Sequence, residues 1–174
     1  MHEVKEKYNL AVKAYDNKNF EEAYTIFLSL AMQGDIDSQK MLANMLIHGI
    51  GTVKDEKDGY RWYLKAAESG DAEAQYWTAM HDFENNNYDR GLRLLHLSAK
   101  NAFPDAIFWS GNIYMYGLYS TKVNIKKAQE FYQKAIRAGV KDAAEKLFEA
   151  KIKEVGKVKA FLYYLKNLKI FIHR

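Results

Sequence analysis

The chain has 174 residues, 48% of them hydrophobic, and a formal net charge of +4. That length and apolar content suffice for a continuous core, while the absence of cysteine excludes a disulfide framework, a thiolate metal site and a cysteine nucleophile, and fits a reducing cytoplasm. The opening residues 1–7 mix acids with bases and lead into no apolar run of the kind an export signal needs, and the densest apolar stretch, 161–172, is interrupted by Lys166 and Lys169, so no membrane span is expected.

The charge is uneven. Lys151, Lys153, Lys157, Lys159, Lys166, Lys169 and Arg174 face Glu154 alone, a net of +6 from residue 151 on that leaves −2 for residues 1–150. The basic balance therefore belongs to the tail, and nucleic acid is not an expected partner.

In chain order, one helical stripe recurs four times. It reads Ala23, Ile26, Phe27, Leu30, Ala31; then Gly59, Trp62, Tyr63, Ala66, Ala67; then Gly91, Leu94, Leu95, Ser98, Ala99; and finally Ala128, Phe131, Tyr132, Ala135, Ile136. Identical offsets place the five side chains of each copy on one face of a 3.6-residue helix. Asn19, Asp55, Asn87 and Asn124 stand four residues ahead of the stripes as expected N-caps, Asn19 with Glu22 forming a capping box. Gly34, Gly70 and Gly139 follow three of them as helix stops.

A second helix precedes each stripe. Its small residues Ser38, Ala74, Ala106 and Ala143 are spaced 36, 32 and 37 apart, followed by Leu42-Ala43, Thr78-Ala79, Ser110-Gly111 and Leu147-Phe148, where small side chains let helix backbones approach. Two helices per period of this length predict an all-α protein, an α-solenoid of about four helical hairpins over residues 1–150, with 151–174 as a basic amphipathic C-terminal helix. One hairpin alone does not bury enough apolar surface to offset the entropy of ordering it, so hairpins must stack.

The run from Gly49 and Gly51 through Asp55, Gly59, Trp62, Tyr63, Ala66 and Ala67 to Gly70 and Asp71 strongly resembles a Sel1-like repeat, a relative of the tetratricopeptide repeat with a longer Gly-x-Gly loop between its helices. Residues 114–139 are similar but carry Tyr119 in place of the second glycine, and the first and third hairpins have ordinary tetratricopeptide-like turns. The resemblance implies a right-handed superhelix serving as a protein-interaction scaffold or adaptor, with no cofactor, no metal and no catalysis.

The residues agree with that implication. Gly49-Ile50-Gly51 follows a helix and lacks the strand or the Gly-Lys-Ser/Thr context of a phosphate loop. The five histidines have no ligand spacing, and His81 and Asp82, being adjacent, diverge on a helix. The acids of residues 21–22 and 55–58 suit first helical turns.

If the first helices line a concave face, a partner-binding groove is expected from Tyr8, Val12 and Tyr15, from Lys40, Asn44 and Ile47, from Tyr76, Met80 and Phe83, and from Phe108, Asn112 and Met115. This aromatic and methionine-rich row suits a helix or an extended peptide; a register shifted by one residue turns part of it into core. In the tail, Lys157, Lys159, Phe161, Lys166, Lys169 and Phe171 fit three roles: a terminal cap, peripheral attachment to an anionic inner-membrane surface, or docking to an acidic partner. The expected function is to bind a protein or peptide partner, as a general adaptor or as an immunity-type protein neutralising a toxin.

Overall fold

A computed structural model describes residues 2–166. These form ten helices and, among the described residues, no strand: α1 (His2–Asp16), α2 (Phe20–Met32), α3 (Ile36–His48), α4 (Glu56–Glu68), α5 (Ala72–Glu84), α6 (Tyr88–Lys100), α7 (Pro104–Tyr116), α8 (Ile125–Arg137), α9 (Ala143–Val155) and α10 (Lys157–Lys166). They divide into two compact units, residues 1–85 and residues from 86 on. Within each unit every helix packs against the next in sequence, which is the contact pattern of helical hairpins in a repeat.

The four stripes are the inner faces of α2, α4, α6 and α8. Ala23, Phe27, Leu30, Ala66, Leu95, Ser98, Ala128, Tyr132 and Ala135 are buried there. The small residues of the odd helices, Ser38, Ala74, Ala106 and Ala143, are buried as well. Smallness is used as the spacing implied. A Cβ on Gly59 would lie 2.7 Å from Ile47 and 2.8 Å from the Ala43 carbonyl of α3, and one on Gly111 would lie 2.6 Å from the Tyr132 ring.

The helix ends depart from expectation in an orderly way. Asp55 and Asn124 accept hydrogen bonds from the Asp58 and Lys127 amides, as expected. Asn19 and Asn87 make no side-chain cap, and the Asn19–Glu22 box does not form. Both follow a left-handed residue, Lys18 or Asn86, and in the first of these turns the Lys18 and Asn19 amides bond back to Tyr15 and Ala14 of the preceding helix. Asp35 and Asp71 are caps the sequence pattern did not single out: each accepts from the amide three residues on, Ser38 at 2.8 Å and Ala74 at 2.7 Å. The same residues close the preceding helices, because their own amides donate to Leu30 and Ala66 while Gly34 and Gly70 donate to Ala31 and Ala67. One residue thus ends one helix and starts the next.

The third copy repeats this closure without glycine. Phe103 and Ala102 donate to Ser98 and Ala99, and Ala102 holds φ at +62°. The long loops are equally parallel: Gly49 and Gly51 take φ of +66° and +69°, Gly117 and Tyr119 take +67° and +53°. A Cβ on Gly51 would fall 2.3 Å from the Phe20 carbonyl oxygen. Tyr119 has no such obstacle and sets its ring 5.4 Å from that of Tyr88, the residue of α6 that corresponds to Phe20 of α2. The left-handed position is thus common to both loops, and glycine is required only where backbone passes close by.

Gly156, with φ of +81°, breaks α9 from α10. Helix α9 runs through residue 150, where the charge pattern placed the start of the tail.

Two stability outcomes follow. Ala102→Gly relieves a left-handed alanine and raises stability by about 0.5–1 kcal/mol, the relief of strain being partly offset by unfolded-state entropy, read as a higher urea midpoint at unchanged slope. Gly34→Ala meets only the conformational penalty, about 1–2 kcal/mol, since nothing lies within 4 Å of its Cβ; Gly51→Ala adds a backbone clash and destabilises by about 2 kcal/mol more in the same assay.

Candidate partner-binding cleft

The first unit holds a cleft of about 260 Å³ between α3, α4 and α5. Helix α5 supplies one wall through Trp77, Met80, His81 and Glu84, whose spacing of 0, 3, 4 and 7 is one helical face. Helix α4 supplies the opposite wall through Glu56, Tyr60 and Tyr63, and Ile47 of α3 closes the end. Asp55 and Asp71 fix the starts of the two walls by capping α4 and α5.

Aromatic contacts order the walls. The Tyr60 and His81 rings stack, centroids 3.8 Å apart and planes inclined by 17°. The Tyr60 hydroxyl reaches past them and donates to Asp82 Oδ1 at 3.1 Å, and Asp82 is fully buried. His81 and Asp82, which point apart on their own helix, are therefore joined through one tyrosine of the neighbouring helix. Burial pushes the Tyr63 hydroxyl above its ordinary range, with the Glu73 charge adding to the shift and a hydrogen bond from Asn44 opposing it. Trp77 remains 46% exposed, with Tyr76 edge-on to it at 5.2 Å.

The expected groove is only partly present. Met80 and Ile47 line the cleft, while Asn44 is not among its lining residues. Tyr76, Phe83 and Met115 are buried, with 7%, 5% and 1% exposure, and offer no surface. On α5 the outward face is Trp77, Met80, His81 and Glu84; the expected row was displaced by one residue, and one residue rotates a helix by about 100°. Lys40 reaches Asp37, Asp71 and Glu73 at 3.3, 3.2 and 3.1 Å, tying α3 to the start of α5. Partial burial alone would lower its pKa, but the hydrogen bonds to Glu73 and Asp71 outweigh it and hold the ammonium above its ordinary value. Tyr8 and Tyr15 are half-buried edge-on against Phe27 and Phe20, Val12 beside them packs on the same core, and Tyr8 also lines a hollow with Gln33, Asp35 and Asp37.

In the second unit Phe108 packs on Tyr132, and Asn112 Oδ1 accepts from the Tyr132 hydroxyl at 2.8 Å. Asn112 thus braces the α7–α8 hairpin through Tyr132. Lys146 donates to the Tyr116 hydroxyl at 3.0 Å and to Glu149 at 2.9 Å, while the Lys153 ammonium lies 4.7 Å from the Tyr116 ring centre.

Helix α10 packs against α9 and buries Ala160, leaving Phe161 and Leu162 outward with Lys157 and Lys159. Lys169 and Phe171 lie outside the described residues, as does the side chain of Lys166. Among the described residues no three His, Asp or Glu side chains group as metal ligands, and no helix is long and apolar enough to cross a membrane.

Sequence reasoning did not bring Trp77, Tyr60 and His81 together on one surface. The signal was available on α5 as a second spacing of 0, 3, 4 and 7, but the aromatic residues at 76 and 77 left two registers open. It also missed Gln39 and Gln75, which occupy the same place in successive repeats and donate to the Ala31 and Ala67 carbonyls at 3.3 Å each.

Replacing Tyr60 by Phe removes a donor from a buried carboxylate. The expected cost is about 1–2 kcal/mol in thermal or urea unfolding, with a change in the His81 ring chemical shifts; an unchanged midpoint would show that Asp82 does not depend on that hydroxyl.

The Sel1 repeat family model matches residues 36–71 and 104–140, the α3–α4 and α7–α8 hairpins. Among solved structures, a Sel1 repeat protein from Oxalobacter formigenes superposes with a TM-score of 0.76 at 23% identity, covering 91% of this chain and 66% of that one. A protective antigen of uropathogenic Escherichia coli strains with an SLR fold gives 0.75 at 22%, covering 91% and 37%. MamA from Desulfovibrio magneticus RS-1 gives 0.59 at 16%, covering 96% and 94%. The chain thus spans just under two thirds of the Oxalobacter protein and about a third of the E. coli protein. No curated protein matches the sequence significantly. These likenesses establish the fold, an α-helical repeat solenoid.

Proposed function

We propose that the chain, two of whose hairpins match the Sel1 repeat model, a repeat generally found in protein-interaction scaffolds, holds a partner protein or peptide and engages it at the Trp77 cleft of its first unit. The observation that carries this reading is the half-exposed tryptophan on a wall of rigid aromatics. Tryptophan and tyrosine are the side chains most enriched at the energetic centres of interfaces, because they bury large area at low entropic cost. Met80 and Ile47 supply an adaptable apolar floor.

The cleft is smaller than the roughly 300–1,000 Å³ of small-molecule sites, a size that suits one or two anchoring side chains of a peptide. The bracing of its walls by the Tyr60–Asp82 hydrogen bond keeps it open before a partner arrives, which lowers the ordering cost of binding. Neutralisation of a toxin is a narrower form of the same reading, in which the partner is a single protein held tightly in a one-to-one complex.

Site-specific photocrosslinking tests the assignment. A benzophenone amino acid placed at Trp77 or Met80 is expected to give discrete adducts with the same partner in the native cell. The same group at Met32, exposed on α2, serves as the control. Adducts that are equally diverse at all three positions would remove the cleft from the interface.

A further inference from the structure

We infer that the cleft selects a cationic side chain, arginine or lysine, of its partner. The inference rests on the scaffold reading and adds the chemistry of the anchor. Three aromatic side chains, Tyr60, Tyr63 and Trp77, line one small cavity with the carboxylates of Glu56 and Glu84. An aromatic face attracts a cation through its quadrupole, and a carboxylate beside it adds charge-assisted hydrogen bonding. An anion would meet repulsion from the same carboxylates, and a purely apolar anchor would take them partly out of water without a partner.

The wider field has the same sign. Residues 1–85 hold nine lysines and arginines against fifteen aspartates and glutamates, a net of −6, while residues 86–174 carry +10. A basic partner is therefore drawn to the unit that contains the cleft. Glu56 already pairs with Lys54 at 2.6 Å, so Glu84 is the carboxylate we assign to the incoming charge. The Lys54–Glu56 pair is solvent-exposed, and such pairs exchange partners at little cost.

The protein uses this recognition internally. In the second unit the Lys146 ammonium is held between the Tyr116 hydroxyl and the Glu149 carboxylate, with Lys153 over the same ring. In the first unit, Lys65 lies 3.9 Å from the centre of the Trp62 ring. The Trp77 cleft offers the same combination of aromatic ring and carboxylate to a group from another molecule.

The test uses the full chain, nitrogen-15 labelled, with the Trp77 indole signal assigned from Trp77→Phe. N-acetyl-arginine amide, N-acetyl-citrulline amide and N-acetyl-leucine amide serve as probes. Citrulline keeps the shape of arginine and removes its charge. The arginine probe is expected to shift the Trp77 indole saturably and at least about fivefold more tightly than citrulline, with the difference shrinking as salt rises. Glu84→Gln should bring arginine to the citrulline level while leaving the melting temperature unchanged. Equal binding of arginine and citrulline, tighter binding of leucine, or no Trp77 response to arginine would each overturn the assignment. The crosslinking result at Trp77 is independent of these outcomes, so partner binding can stand while cation selection falls.

Discussion

The structure depends on helices that cannot bury their apolar faces alone. The stripe on α4 is covered by α3 on one side and by α5 on the other, and the contact with α3 brings the backbones so close that Gly59 has no room for a methyl group. In the second unit the same demand is met differently, with Gly111 of α7 making space for the ring of Tyr132 on α8. Small residues at the seam and large ones beside it are two halves of one packing solution, and they exchange helices between repeats without altering the arrangement.

That packing creates the cleft as a by-product. Once the small and apolar residues of α4 and α5 have been turned inward, Tyr60, Trp77, Met80 and His81 are what remain on the facing surfaces. Helical geometry then holds them in line at successive turns. Asp71, which ends α4 and starts α5, joins the two walls, and Lys40 clamps the start of α5 through Asp71 and Glu73. The cleft is thus supported by the repeat's own joints.

The two units contrast in charge although they share a fold. The stripe positions tolerate no charge, so the variation is confined to exposed helix faces and loops, and there it has accumulated with opposite signs. A solenoid allows this because its core contacts are local and each repeat's surface is independent of the next.

Length, period and the paired-helix pattern were legible in the sequence because they follow from local rules. A spacing of 3, 4, 7 and 8 requires a helix face, a glycine after the stripe ends the helix, and hairpins too small to stand alone must stack. Even the loop in which Tyr119 replaces a glycine could be placed, because the residues around it kept their spacing. The register of the outer face on α5 was not legible: Tyr76 and Trp77 are both large and aromatic, and only packing against neighbouring helices decides which is buried. The joining of His81 to Asp82 through Tyr60 and the threefold pairing of Lys40 likewise belong to tertiary structure, since each unites side chains from different helices. Periodicity determined that this chain is a repeat of helices; the choice of which residues face outward, and so what the surface can bind, was made by contacts between helices that no single helix contains.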